Sequence, residues 1–359
     1  MTSQQLSRLY IAGIGMTTPV GFDHASTVAA VDAGVNRFQE SAYFSKNMQP
    51  FTMAPIPEEI FPDLTSRLNN VEDSSLQMGI MLLAADVALN QIQQLDQLDQ
   101  PVALFLAGPE AYQMHAGSMS AKFIDYLIKQ SNANIDKSSS RLLGTGRCGV
   151  IDAIDLAFRY LQQVDSDYVL VGGADSYQEE ELLAFLDADD RLMAQDIMNG
   201  FIPGEGAGFL LLTRDKQKAL AWGEGVISLS LPGIGVEKGH MYSEQPYLGD
   251  GLAGAITKAL HNVSQGKITT IYSSMNGEQF WAKELGVALG RNKEAFDENY
   301  SVEHPADCLG DMGSACGAVM VGLAASSLAR AGRPATHLVY CSSDQESRGA
   351  ICVNYETGN

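Results

Sequence analysis

The chain is short of bases for its acids: 23 lysines and arginines face 43 aspartates and glutamates, a formal charge of -20. That deficit repels phosphate backbones and anionic bilayers, which argues against nucleic acid as a partner and against a membrane surface. Cysteine is equally sparse. The five, Cys148, Cys308, Cys316, Cys341 and Cys352, are odd in number and scattered, without a CxxC pair or a metal-ligand spacing. They read as reduced thiols, most of them packing residues, so no disulfide framework, metal or cofactor is expected. Long apolar runs are missing too. Tyr168 to Val171 and Phe209 to Leu212 are strand-length, far short of the roughly 20 residues of a membrane helix. The opening Met1-Thr2-Ser3-Gln4-Gln5 has no basic and apolar leader, so cytoplasmic residence is the default expectation.

What is present is enough apolar residue, 45% of 359, for a large core. Leu9 to Gly15 reads as a strand entering a turn punctuated by Gly and Pro, with a helix over 25–33 and mostly loop over 39–70. Asp73-Ser74-Ser75 offers N-cap side chains to a long helix, on which Leu76, Ile80, Leu83, Val87 and Ile92 fall at helical spacing before Pro101. A strand at 102–107 and a helix at 118–130 follow. Gly144-Thr145-Gly146-Arg147-Cys148-Gly149 then opens a helix with Ile151, Ile154, Ala157, Phe158 and Leu161 on one face, which leads to the strand 168–173. The acidic run Glu179 to Asp190 reads as a solvated face that could attract a basic partner, and a strand at 209–213 closes this half. The second half repeats the rhythm, with strands at 226–231, 269–274, 337–341 and 350–354 and helices at 251–263, 278–289 and 313–331. Such alternation implies a helix-covered, mostly parallel α/β sheet in each half, divided at 1–218 and 219–359.

Several segments resemble β-ketoacyl synthases. Tyr10 to Gly21 is similar to that family's first strand, G-x-G-x-x-(S/T)-P-x-G, and Cys148 to Asp175 to its nucleophile helix and following strand. Asn199-Gly200-Phe201-Ile202-Pro203-Gly204-Glu205-Gly206-Ala207-Gly208 resembles D-G-F-x-x-G-E-G-A-G, and Gly249-Asp250-Gly251 stands where the family has P-D-G. Leu309 to Gly317 looks like a changed G-H-x-x-G-A-A-G. The blocks run in order over nearly the whole chain. The resemblance implies the duplicated five-layer α-β-α-β-α thiolase fold, and dimers paired through a strand near Tyr168 to Gly173.

The resemblance also locates the chemistry. Such an enzyme needs a thiol at the tip of a buried helix, where the helix dipole lowers its pKa, and two histidines, or a histidine and an asparagine, opposite. Counted back from Gly172-Gly173, the nucleophile position holds Arg147, with Cys148 one place later and rotated by about 100°. Cys148 is therefore a shifted nucleophile or a packing residue. Asn276 takes the place of the first histidine and can still donate a hydrogen bond; Gly310 takes the place of the second. The family's lysine falls near Pro305 and its glutamate near Val319, and Ser342 to Gly349 replaces its gating loop. Asp311 sits close to the lost histidine but is also a simple N-cap for the helix from Gly313. His240 and His304 are weaker candidates for a relocated base. Arg147 would pair with a carboxylate such as Glu205 or Asp311, plug the pocket, or turn to solvent.

Three functions are compatible with this pattern. The first is a catalytically silent protein that binds a partner, as an adaptor or as the non-catalytic half of a heterodimer with a related synthase, in the manner of chain length factors; a homodimer is the other assembly. The second is an active condensing enzyme or acyltransferase using Cys148 with Asn276. The third is an acyl-thioester binding protein. Acyl carrier proteins are acidic and dock on basic patches, so the charge of this chain disfavours them as partners.

Overall fold

Parity along the strands sorts the side chains into layers. In β1 (Arg8–Thr17), Leu9 and Ile11 face one core while Ala12 faces another, and beyond a register shift between Ile11 and Gly13 it is Ile14 and Met16 that rejoin the first core. A bulge inserts one residue and so exchanges the faces of everything after it. The computed structural model describes residues 6–60, 75–98, 100–112, 119, 122–261, 263 and 266–357.

In chain order the strands are β1, the hairpin β2 (Gln39–Phe44) and β3 (Pro50–Met53), β4 (Leu104–Ala107), β5 (Arg141–Leu143), β6 (Tyr168–Ser176), β7 (Glu205–Thr213), β8 (Ala221–Trp222), β9 (Gly225–Ser230), β10 (Gly233–Val236), β11 (Ile268–Ser273), β12 (Phe296–Glu303), β13 (Ala335–Ser342) and β14 (Ser347–Thr357). The helices are α1 (His24–Asp32), α2 (Leu76–Leu89), α3 (Lys122–Gln130), α4 (Gly149–Gln163), α5 (Glu180–Ala188), α6 (Asp250–Leu260), α7 (Gln279–Arg291), α8 (Ala306–Leu309) and α9 (Cys316–Ala331).

The main sheet runs β5-β4-β6-β7-β1 in the first half and β12-β11-β13-β14-β9 in the second, joined where Arg8–Tyr10 of β1 pair with Ser228–Ser230 of β9. Numbered within its own half, each set has the same order, third-second-fourth-fifth-first. The strand senses also match, so the duplication is visible in the topology. α2 and α3 cover one outer face, α6 and α7 the other, and α4 and α9 lie between the two halves. This is the five-layer α-β-α-β-α arrangement. Within it Val169 and Val171 face the central layer while Leu170 faces outward, and Val339 and Cys341 face it while Leu338 and Tyr340 do not. Gly313–Ala331 is long and apolar enough by composition to cross a membrane, but 72% of that stretch is buried between the sheets, which accounts for its apolarity.

Several expectations need correction. Each half mixes two parallel interfaces with two antiparallel ones rather than being mostly parallel, because β13 returns directly into β14 and β7 and β1 run against their neighbours. The loop expected over 39–70 contains the β2–β3 hairpin; its 61–70 part lies outside the described residues, as do Asp73 and Ser74. Ser75 caps α2, which ends at Asn90 well short of Pro101, leaving Ile92 in a turn. β12 was not expected, since Phe296-Asp297-Glu298-Asn299-Tyr300-Ser301-Val302-Glu303 is a polar edge strand with one buried residue. Finally, β6 lies between β4 and β7, so both its edges are taken and it cannot pair across a dimer. Among the described residues, the free edge of that half belongs to β5.

Candidate functional site

α4 begins with a tight turn, Gly146–Cys148, and α9 with the turn Gly313–Ala315; the two tips meet at the centre of the molecule. Gly146 and Gly313 adopt φ of +57 and +49, which bends the backbone in a way glycine accepts freely. Gly310 has φ +67 and ψ -175, a region almost reserved for glycine, and a Cβ there would come within 2.8 Å of the Ile202 carbonyl. The position where the resemblance expects the second histidine thus holds backbone alone.

Arg147, at the tip of α4, is buried and turned into the junction of the two halves. Its Nε donates to Asp311 Oδ2 at 2.8 Å, Nη2 bonds the same oxygen, and Nη1 donates to Asp344 Oδ1 at 2.6 Å. Asp344 sits in the β13–β14 turn with its side chain wholly buried. Arg191 Nη1 donates to its Oδ2 at 2.6 Å, and the Tyr112 hydroxyl donates to that oxygen at 2.9 Å. Arg191 also forks onto Glu278, Nε to Oε1 at 2.7 Å and Nη2 to Oε2 at 2.9 Å. Asn276 Nδ2 bridges Asp311 Oδ2 at 2.8 Å and Glu278 Oε2 at 3.0 Å. Two guanidinium groups and three carboxylates therefore share one buried network, stacked against Phe201, Trp281 and Tyr242.

Electrostatics follow from this closure. Burial opposes the Arg147 charge, but Asp311 and Asp344 more than offset it. Burial pushes the Asp344 carboxyl up, and Arg191 and Arg147 together outweigh it, holding that group well below the usual carboxylate range. Glu110, which accepts the Asp344 and Gln345 backbone N–H groups, is raised to about 7 by burial and by the Asp344 charge. Burial raises Asp175 to about 7 as well, even though Ser314 N–H donates to it at 2.7 Å.

Cys148 leaves the tip in another direction. Its sulfur is fully buried within the central core, and a Cβ on Gly349 would lie 2.8 Å from it. Burial pushes its thiol pKa well up and the Asp152 charge adds to that, the reverse of what an activated nucleophile needs. Its backbone N–H donates to Ser343 Oγ at 3.0 Å. The space beside Arg147, Glu110 and Asp175 is a cavity of about 10 Å³, and a second, beside Gly310, Asp311, Cys316 and Val319, is about 20 Å³. Each has room for about one water at most, against roughly 300–1,000 Å³ for small-molecule pockets. Among the described residues no group of three His, Cys, Asp or Glu is arranged to hold a metal ion.

Of the residues singled out from sequence, Arg147, Asn276 and Asp311 are brought together, with Gly310 adjoining. Asp311 takes Arg147 on Oδ2, as one expectation had it; its Oδ1 accepts the Gly313 N–H at 2.9 Å, but the cap position of that helical turn is Met312, without a side-chain bond, so Asp311 is not the N-cap expected. Glu205 does not meet Arg147; its carboxylate is held by Ile56 N–H, Ser176 Oγ and Gln178 Nε2. His240 and His304 are half-buried, and among the described residues the Nδ1 of each has no hydrogen-bond partner. Pro305 and Val319 line the 20 Å³ cavity. The acidic run is only partly solvated, since Asp187 is buried and accepts the Lys46 N–H.

Asp344, Arg191, Glu278 and Glu110 were not singled out, nor was the buried pair of Arg348 Nε and Glu284 Oε1 at 2.7 Å. Glu284 left a signal: it shares a face of α7 with Trp281, Leu285 and Ala288, all buried. Arg348 left another, as the one charge leading into Gly-Ala-Ile-Cys-Val.

Residues 148–218 match the family profile described as the β-ketoacyl synthase N-terminal domain. No curated protein sequence matches the chain. Among solved structures, a ketosynthase from module 6 of the bacillaene synthase of Bacillus subtilis superposes with a TM-score of 0.77 at 15% identity, over 98% of this chain and 73% of that one. The ishigamide ketosynthase/chain length factor gives 0.75 at 15% identity, over 98% and 100%. A ketosynthase in complex with its chain length factor from Xenorhabdus doucetiae gives 0.70 at 18% identity, over 99% and 100%.

Proposed function

We propose, from the premise that this chain has the ketosynthase fold, that it is a catalytically silent subunit that acts by binding a partner protein. One observation carries the reading: the helix tip where the resemblance expects a reactive sulfur presents Arg147, tied to Asp311 and Asp344. A condensing enzyme must bring a thiolate, donor groups and an acyl chain to that point. Here the point is occupied, and the neighbouring cavities of about 10 and 20 Å³ leave an acyl chain no room. Both the Cys148 condensing reading and the acyl-thioester binding reading are weakened by the same facts.

The partner we favour is a related, active ketosynthase, because chain length factors occur among the structures of like fold. Among the described residues β5, Arg141–Leu143, offers an open sheet edge through which two such chains would pair. Incubation with an acyl-CoA or a chloroacetyl thioester followed by intact mass measurement tests the silent reading. No adduct is expected under conditions that label an active ketosynthase, and stoichiometric acylation of Cys148 overturns it. Native mass spectrometry of the tagged chain from its host tests the partner: a one-to-one complex with a synthase is expected, and a tight homodimer that takes up no synthase rules out the heterodimer.

A further inference from the structure

In the first half of the chain, the hairpin β2–β3 and helix α5 enclose a surface groove of about 600 Å³. Ala42, Tyr43, Phe44 and Phe51 line one wall, and Leu183, Ala184 and Ala188 the other. The two walls are pinned together beneath it, where Lys46 N–H donates to the buried Asp187 Oδ2 at 2.6 Å. At the hairpin's tip, Asn47 Nδ2 donates to Asp196 Oδ2 at 2.7 Å and so joins two turns that expose methionines, Met48 at 75% and Met198 at 97%. Phe44 is 56% exposed beside them. Flexible methionines and an open aromatic suit a surface that moulds itself around another side chain.

The rim is one-sided in charge. Residues 39–53 and 179–198 hold eight acids against two bases. One of those bases, Arg191, points inward to Glu278 and Asp344, and the other, Lys46, is already paired with Asp190 at 2.8 Å. Glu180, Glu181, Asp189 and Asp190 remain exposed around an apolar floor. An acidic partner would be repelled, and a purely apolar one would leave these carboxylates nothing to meet.

We propose that this groove docks a basic, amphipathic segment of a partner protein, whose apolar side chains enter between Phe44 and Ala184 while its lysines or arginines face the acidic rim. α5 is nine residues, about 14 Å long, so two to three turns of helix would span the groove. The inference is independent of the silent acyl site, and its test does not involve that site.

The probe is a fluorescein-labelled peptide with lysines on one helical face and leucines on the other. Its controls are the same peptide with glutamate for lysine, and an oligolysine of equal charge. Fluorescence anisotropy with the full chain in 50 mM salt is expected to give a Kd at least tenfold lower for the lysine–leucine peptide than for either control. Ala184→Arg, at an exposed position of α5 and with its fold checked by circular dichroism, should weaken that binding at least tenfold. Glu180→Lys with Asp189→Lys should weaken it similarly. Equal binding of oligolysine, which would mean charge alone, overturns the proposal. So does an Ala184→Arg variant with unchanged affinity, or photo-crosslinking of the peptide outside 42–51 and 183–188.

Discussion

Arg147 and Asp344 meet at 2.6 Å across the junction of the two sequence halves, the guanidinium from the tip of α4 and the carboxylate from the β13–β14 turn, both shielded from solvent. Arg191 reaches the same carboxylate from the end of α5, and forks onto Glu278 ahead of α7. The first half therefore contributes the cations and the second the anions. The junction between the two halves of the duplicated fold is thus closed by ion pairs. Buried pairs of this kind add little net stability compared with apolar packing, but losing one partner is costly.

Arg147→Met should accordingly destabilise the chain by about 3–5 kcal/mol, because Asp311 is left with only Asn276 and a backbone N–H for company. Arg147→Lys keeps the charge and loses the fork, and should fall between. The double change Arg147→Met with Asp311→Asn removes the stranded charge and should recover part of the loss. Urea midpoints measure all three; a loss under about 1 kcal/mol for Arg147→Met would show that the network is not structural.

Stability should peak on the acid side of neutrality. Burial holds Glu110 and Asp175 near 7, above their unfolded values, so the folded chain keeps protons that the unfolded chain has released between about pH 4 and 7. Their contribution to stability is therefore whole below about pH 4 and lost as pH rises toward 7. Asp344 runs the other way: its depressed pKa stabilises the fold above about pH 4, and that stability is lost in stronger acid. A urea midpoint highest near about pH 5 is expected, with Glu110→Gln and Asp175→Asn each flattening the decline above it. A midpoint that climbs steadily from pH 5 to 7.5 in the unaltered chain would contradict this assignment.

The layers were legible from sequence because β6, β7, β13 and β14 are near-continuous apolar runs and α4 shows its buried face in the spacing of Ile151, Ile154, Phe158 and Leu161. β2 and β12 were not, since each is a polar ribbon with little to bury, and hydrophobic period is the only local mark a strand leaves. At the site, Arg147 and Asp311 were found by their offsets from glycines. Asp344 and Glu278 could not be, because a partner 87 or more residues away leaves no trace in local spacing. Arg191 follows directly on the acidic run, and nothing in that local pattern marks it as buried.

Cys148 should be the slow thiol. Burial and the Asp152 charge both favour its protonated form, whereas Cys316 is half-buried at the 20 Å³ cavity. Iodoacetamide at pH 8 with peptide mapping should modify Cys316 well before Cys148. Rapid, stoichiometric alkylation of Cys148 in the native chain would mean that its sulfur has an open approach.

The contact between Gly349 and Cys148 gives the closest test of what that cysteine does. Gly349 has an ordinary backbone angle, so its constraint is space: an added Cβ would stand 2.8 Å from Cys148 Sγ and 2.8 Å from Ile151 Cγ2. Gly349→Ala should cost about 1–3 kcal/mol through overpacking between β14 and α4. Cys148→Ala alone leaves a small void and should cost about 1 kcal/mol or slightly more. If the sulfur is a packing atom, the two changes compensate: the double variant should be about 1 kcal/mol more stable than the sum of the singles predicts, with Ile151 limiting the recovery. Strict additivity in urea denaturation would place the Cys148 side chain somewhere other than against Gly349, and would reopen the question of whether it reaches the helix tip.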